Sequence, residues 1–179
     1  MESTSDTKIG IQLRNGIVAI ATVAIAMLVF FASRAQGPSI GQLAAESVPL
    51  EQALANGKPT FLEFYADWCS SCQAMAPAIA KLKARYGSQT NFVMLNVDNP
   101  RWLIELTQYK VDGIPHYAFL SPKGLPLAEA IGLQPEAILE ENLTALAKGD
   151  VLPKAQVKVG QTSKVKTPPK QQTQPKDHS

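Results

Sequence analysis

The chain has 179 residues, 45% of them hydrophobic, a formal net charge of +2, and two cysteines, Cys69 and Cys72. That length holds one domain of ordinary size with tails. The small charge, with no basic patch interleaved with aromatics, argues against nucleic acid as a partner, and two cysteines in one motif exclude a disulfide framework.

Residues 1–15 are polar, with Lys8 and Arg14 as the basic groups. Residues 16–33, GIVAIATVAIAMLVFFAS, carry no charge, and Arg34 closes the run. An apolar run of about this length spans a bilayer as a helix. A secretory signal has a shorter apolar core, although Ser33, Arg34 and Ala35 would pass as a cleavage site. A buried core helix fits poorly, because the run is apolar on every face. The reading is one transmembrane anchor. Two basic residues before it against one after it place residues 1–15 in the cytoplasm and the rest on the far side.

Residues 34–46 read as a linker. The next stretch, SVPLEQALANGKP, reads as a helix with Ser47 as N-cap, Pro49 in the first turn, and Gly57 and Pro59 as the stop. TFLEFYA, residues 60–66, is a β-rich apolar run holding one acid, Glu63. From Cys69 a helical pattern begins, with Cys72, Met75, Ala76, Ile79, Leu82 and Tyr86 on one face. Pro77 is expected to interrupt and kink it. FVMLNV, residues 92–97, is a second buried strand. DNPRWLIELTQY is a helix opened by Asn99 and Pro100, with Trp102, Leu106 and Tyr109 on one face. HYAFL and LAEAI flank the turn signal SPKG and read as a hairpin. QPEAILEENLTALAKG is the final helix, with Pro135 near its start and Gly149 after its end.

The order α, β, α, β, α, β, β, α gives parallel strands from the first βαβ unit and antiparallel ones from the hairpin. The expected fold is α/β: a small mixed central sheet with helices on both faces, over residues 47–149. Residues 150–179 are rich in Lys, Pro and Gln and read as a disordered, solvated tail.

Cys69 follows a strand and sits where a helix begins. The free N–H groups and dipole of a helix N-terminus stabilise a thiolate, the species that attacks disulfides. Cys72, one turn further in, is more shielded and placed to resolve a mixed disulfide. Trp68 offers a flat apolar contact to a partner. A metal site usually needs four ligands, and beyond the two cysteines the chain has only His116 and His178. A structural disulfide closing so short a loop would stabilise little. Redox chemistry is therefore the favoured reading, with a metal-handling module and a non-catalytic interaction module as the alternatives.

FLEFYADWCSSC, NVD, Y-x-V-x-GIPH and Gly132 together resemble thioredoxins, over residues 47–149. With the anchor, the chain resembles the membrane-anchored thioredoxin-like proteins of cyanobacteria and their plastid thylakoid relatives. The resemblance implies a thioredoxin fold, Cys69 as nucleophile and Cys72 as resolving thiol. It implies a cis peptide bond before Pro115, facing the cysteines, with the backbone of Ile114 open to pair with a substrate strand. It places a buried carboxylate at Glu63, one methylene longer than the usual Asp. Ser70 and Ser71 replace Gly-Pro, Met94 replaces a Lys near the acid, and His116 replaces Thr.

Glu63 lies in an apolar run, so burial is expected to raise its pKa and suit it to take the proton of Cys72. His116 is either a strand residue at the sheet end or a functional one. The activity implied is thiol–disulfide exchange on protein clients in a lumenal or periplasmic compartment, at a thylakoid or plasma membrane. Electrons would come from a membrane thiol reductant, as in cytochrome maturation; the opposite direction, donation of the disulfide, is the alternative. No metal and no cofactor is expected.

Overall fold

The computed structural model describes the backbone of residues 3–35, 37–154, 156–158 and 161–165, and the side chains of 14–30, 37–154 and 161–165. The chain divides into two compact units, residues 1–37 and 38–179.

The first unit is one helix, α1 (Ser3–Ala35), which carries the whole uncharged run. Every side chain described on it is exposed, Ile20 by 72% and Leu28 by 70%. Among the described residues no helix is long and apolar enough to cross a membrane. The side chains described on α1 end at Phe30, inside the run.

The second unit opens with α2 (Ile40–Ala45) in the middle of the expected linker. Ser39 and Gln42 form a reciprocal capping box: Gln42 N–H donates to Ser39 Oγ at 3.2 Å, and Ser39 N–H to Gln42 Oε1 at 2.9 Å. Ile40 and Leu43 are buried beneath it. Helix α3 (Leu50–Ala55) follows. Its N-cap is Pro49, not Ser47, because Pro49 is extended and the helix starts after it. Ser47 instead donates its hydroxyl to the carbonyl of Ala44, 2.8 Å away, at the end of α2.

Strand β1 (Thr60–Tyr65) is buried at all six positions. A strand covered on both faces reads as a continuous apolar run, which is how this one reads. Helix α4 (Ser70–Tyr86) comes next, one helix with Pro77 inside it. Pro77 lies on the exposed side, where a carbonyl left without its N–H donor can reach water. Then follow β2 (Asn91–Asn96), a 3-10 turn (Pro100–Trp102) and α5 (Leu103–Gln108). Strands β3 (Gly113–Ile114), β4 (His116–Leu120) and β5 (Pro126–Ile131) lead to α6 (Glu136–Lys148). Gly149 closes α6 in the left-handed region, at φ 74°.

The tail is not wholly a tail. Strands β6 (Gln156–Lys158) and β7 (Ser163–Lys164) both lie past residue 150. Buried Asn142 on α6 pins the passage by donating to the carbonyl of Lys154 at 2.9 Å and accepting its N–H at 3.0 Å. Strand edges pair through backbone groups, so β6 joins the main sheet at β5 without a long apolar run. Residues 166–179 lie outside the described residues.

The main sheet has the order β2-β1-β4-β5-β6, and β3 pairs separately with β7. Strand β1 is parallel to β2 and antiparallel to β4, and β5 is antiparallel to β4 and parallel to β6. Phe61 centres an aromatic core, with ring centroids 5.2 Å from Phe92, 5.5 Å from Tyr117 and 5.3 Å from Phe119. Phe61, Phe92, Met94 and Ile79 of α4 line one small space, so α4 covers this face of the sheet.

Candidate active site

Cys69 is the N-cap of α4 and is joined to Cys72 by a disulfide, with Cα atoms 5.2 Å apart. The backbone N–H of Cys72 donates to Cys69 Sγ at 3.1 Å. The N-cap is where an acceptor gains most from the unbonded N–H groups of the first turn. Once the disulfide is reduced, that donor and the helix dipole favour the thiolate at Cys69 over one at Cys72. Accessibility does not separate the two cysteines, contrary to the sequence expectation: both are 0% exposed.

The peptide bond between Ile114 and Pro115 is cis. The carbonyl of Pro115 accepts the N–H of Gly132 at 2.8 Å. Gly132 sits at φ 85°, where a Cβ is costly, so glycine is needed for this tie. The β1–β4 register pairs Phe64 with His116. The end of β1 that leads to Cys69 and the start of β4 at Pro115 therefore lie at the same end of the sheet.

Trp68 is 53% exposed. Its Nε1–H donates to Asp98 Oδ2 at 2.8 Å, which fixes the indole beside the disulfide. With Val97, Asp98, Lys164 and Val165 it lines a cleft of about 410 Å³. Sequence reasoning did not assign a role to Asp98 or to the tail residues. The NVD motif was the available signal for the former, and nothing in composition marked the latter.

Glu63 is fully buried. In register it lies between Met94 on β2 and Tyr117 on β4. It shares the face of Phe61, two residues away on β1, and so the face that α4 covers. Neither carboxylate oxygen has a hydrogen-bond partner among the described residues. Burial pushes its pKa up to about 8. The neighbouring Tyr117 phenol is also raised well above its ordinary value, first by burial and then by the Glu63 charge. No cation answers the acid in register, where Met94 and Tyr117 are its neighbours.

His116 points the other way. It is 1% exposed, its ring meets Phe64 edge-on at 5.7 Å, and its Nε2 is 3.7 Å from Glu129 Oε2. Phe64 in turn packs on Tyr109 at 5.4 Å. His116 thus belongs to the face opposite α4. Among the described residues no three His, Cys, Asp or Glu side chains gather to hold a metal.

A dithiol whose first sulfur caps a helix and whose second lies one turn inside it is arranged for thiol–disulfide exchange. The chain belongs to the thioredoxin family, whose family model matches residues 42–145. It is 47% identical over 171 residues to a thiol:disulfide interchange protein TxlA homolog of a Synechocystis strain, covering 93% of this chain and 94% of that one. It is 45% identical over 152 residues to thiol:disulfide interchange protein TxlA of Synechococcus elongatus, covering 84% and 80%. It is 46% identical over 136 residues to the chloroplastic thioredoxin-like protein HCF164 of Arabidopsis thaliana, covering 75% of this chain and 52% of that protein. The fold is the thioredoxin fold, and the protein is a thiol–disulfide oxidoreductase.

Proposed function

We propose that the chain is a membrane-anchored reductant of client disulfides on the lumenal or periplasmic side of a thylakoid or plasma membrane. The observation that carries the chemistry is the capping of α4 by Cys69, with Cys72 N–H on its sulfur. In each cycle the Cys69 thiolate attacks a client disulfide, forming a mixed disulfide and releasing one client thiolate. Cys72 gives its proton to the Glu63 carboxylate and attacks Cys69 Sγ. The Cys69–Cys72 disulfide forms and the second client thiolate leaves. Two electrons pass to the client, and a membrane thiol reductant restores the dithiol. Trp68, Ile114 and Pro115 form the client-binding rim.

The uncharged run 16–33 and the exposure of every side chain described on α1 support the anchor. Apolar side chains open on all sides are at home in lipid and costly in water. The basic residues favour the far side for the domain, as the sequence indicates. The compartment matters to direction, because electrons flow according to the potential of the pair against its surroundings. Cytochrome thiols that await haem attachment are a client class suited to such a reductant.

Replacing Cys72 by Ser (Cys72→Ser) tests the whole reading. Clients should accumulate as mixed disulfides on Cys69 in membranes, and alkaline carbonate should leave the protein in the pellet. Clients trapped equally well by Cys69→Ser would overturn the assignment of roles, and release by carbonate would overturn the anchor. A redox titration of the pair that gives a potential above that of the client disulfides would reverse the direction.

A further inference from the structure

Strand β7 occupies a revealing place. It pairs antiparallel with β3, Gly113 opposite Lys164 and Ile114 opposite Ser163. Ile114 is the residue before cis Pro115. On the other side, Lys164 and Val165 line the cleft of Trp68, the neighbour of Cys69. The chain's own residues 161–165 therefore lie between the two parts of the rim, along the backbone edge that a client strand would use. We propose that this C-terminal segment is a built-in competitor for clients: it docks as a substrate-like strand on β3 and must leave before an extended polypeptide can present its disulfide to Cys69. The inference rests on the client-binding reading given above.

Several details fit a docked strand better than a chance crossing. Val165 N–H donates to the carbonyl of Asp112 at 3.2 Å, and Leu133 N–H to that of Gln161 at 3.2 Å, so the segment is held at both ends. Gly113 is bare where the strands meet: a Cβ there would stand 3.3 Å from Cβ of Thr162. The dock is also light. Gln161, Thr162 and Lys164 are exposed, and Ser163 and Val165 are only partly buried. Backbone bonds hold the segment, and few apolar contacts do. Such a strand can be displaced by a client whose side chains add contacts of their own. Because it is tethered through the Asn142–Lys154 clamp, its effective concentration is high without any strong contact.

The ladder tells which donor to remove. With the Asp112 carbonyl bonded to Val165, alternation makes Ile114 and Ser163 the next hydrogen-bonded pair. Ser163→Pro deletes that N–H, while Ser163→Ala keeps it. The full chain in detergent, kept reduced by excess dithiothreitol with the uncatalysed rate subtracted, would be assayed on two disulfides. Insulin presents an extended polypeptide, and hydroxyethyl disulfide makes no strand contact. Ser163→Pro, and a chain ending at residue 160, should raise kcat/KM on insulin roughly tenfold, the factor for a rim that the segment holds about nine-tenths of the time. Ser163→Ala should match wild type on both. Hydroxyethyl disulfide should be reduced within about twofold by every form. A synthetic peptide of residues 158–168 added to Ser163→Pro should slow insulin reduction again. An insulin rate in Ser163→Pro and in the shortened chain equal to or below wild type, with the small disulfide reduced normally, would overturn the competitor alone. Failure of wild type on both disulfides would overturn the client-binding reading and the competitor with it.

Discussion

Strand β1 is covered on both faces, and the two faces answer their ionisable groups differently. Toward α4 it holds Glu63, fully buried, with no hydrogen-bond partner for either oxygen among the described residues. Toward the other side it packs Phe64 against His116, whose Nε2 lies 3.7 Å from a carboxylate of Glu129 that is 38% exposed. Burial holds Glu63 up at about 8. On the other face burial also raises the Tyr109 phenol, and Glu129 then Glu105 add to it. A buried acid without a partner costs stability, and packing gains nothing from it that a leucine would not supply. The imidazole has a carboxylate facing it at 3.7 Å, whereas the acid has no cation in register. The acid lies on the side of the cysteines, and the histidine does not. The reading to be tested is that proton chemistry lies on the α4 face and that His116 serves the architecture.

The largest test asks whether the chemistry is on that face at all. Cys69→Ser removes the nucleophile and should lower insulin reduction by at least about 10⁴-fold. Cys72→Ser should give one attack per molecule and then stop as a stable mixed disulfide. Mass spectrometry of the adduct and a rate assay check both. Multiple turnovers by Cys72→Ser would remove the need for a resolving thiol, and with it the need for a base.

The next test concerns Glu63. Glu63→Gln should leave the first attack by Cys69 within about twofold and slow the resolving step by about 10²-fold, a usual contribution for a positioned base. In wild type the resolving rate should climb as pH approaches 8, where Glu63 ionises. The variant should lack that inflection. Single-turnover kinetics on a peptide disulfide separates the steps. Equal resolving rates from pH 6 to 8 would deny Glu63 the role.

The same acid makes a stability prediction. Its folded pKa, about 8, exceeds the ordinary value of 4.5. The folded state therefore binds the extra proton between those limits, and stability falls as pH rises from 4.5 toward 8. Below the window the acid is neutral in both states and costs nothing in charge burial. Above it the full penalty is present, of the order of 5 kcal/mol. Glu63→Leu should remove this slope, so the variant should gain on wild type as pH rises. Urea titrations at pH 5 and 8.5 measure it. Parallel pH profiles for the two proteins would mean that Glu63 finds a partner in solution.

Much of this site was legible in the sequence because it rests on local signals. The apolar run of β1, the C-x-x-C at a helix start, and the pairs Pro135 with Gly149 and Asn99 with Pro100 each mark an element by its own residues. What escaped notice was short or carried by backbone. Helix α2 spans only Ile40–Ala45, too short for apolar periodicity to show, and its sole mark was Ser39 three residues before Gln42. Strands β6 and β7 are only three and two residues long and lie in a stretch rich in Lys, Pro and Gln, so composition pointed to a solvated tail. The tether of Trp68 to Asp98 joins residues thirty apart and needed the fold to be seen. Glu63 as a buried acid was readable, since its neighbours on both sides are apolar. The side on which His116 falls was not, because it depends on the register of β4 against β1.

The smallest expected effect belongs to His116, and it sharpens the comparison most. His116 adjoins Pro115 in sequence, so a role in catalysis would have to travel through the backbone to the rim. Its side chain instead meets Phe64 and Glu129 on the far face. His116→Gln keeps a polar group near Glu129 and loses only the ring packing. It should cost about 1–2 kcal/mol of stability, in the range for a buried substitution that leaves no large cavity. Insulin reduction and the attack on hydroxyethyl disulfide should stay within about twofold, with an unchanged pH profile. His116→Ala should cost more stability, about 2–4 kcal/mol, because it also opens a cavity against Phe64. Rates should again be near wild type at a temperature where the variant is folded. The decisive reading is the pH profile of the resolving step in His116→Gln. A shift of the inflection near 8 would show that the imidazole senses the Glu63 proton across the sheet, and the two faces would then form one titrating system. An unchanged inflection keeps them separate.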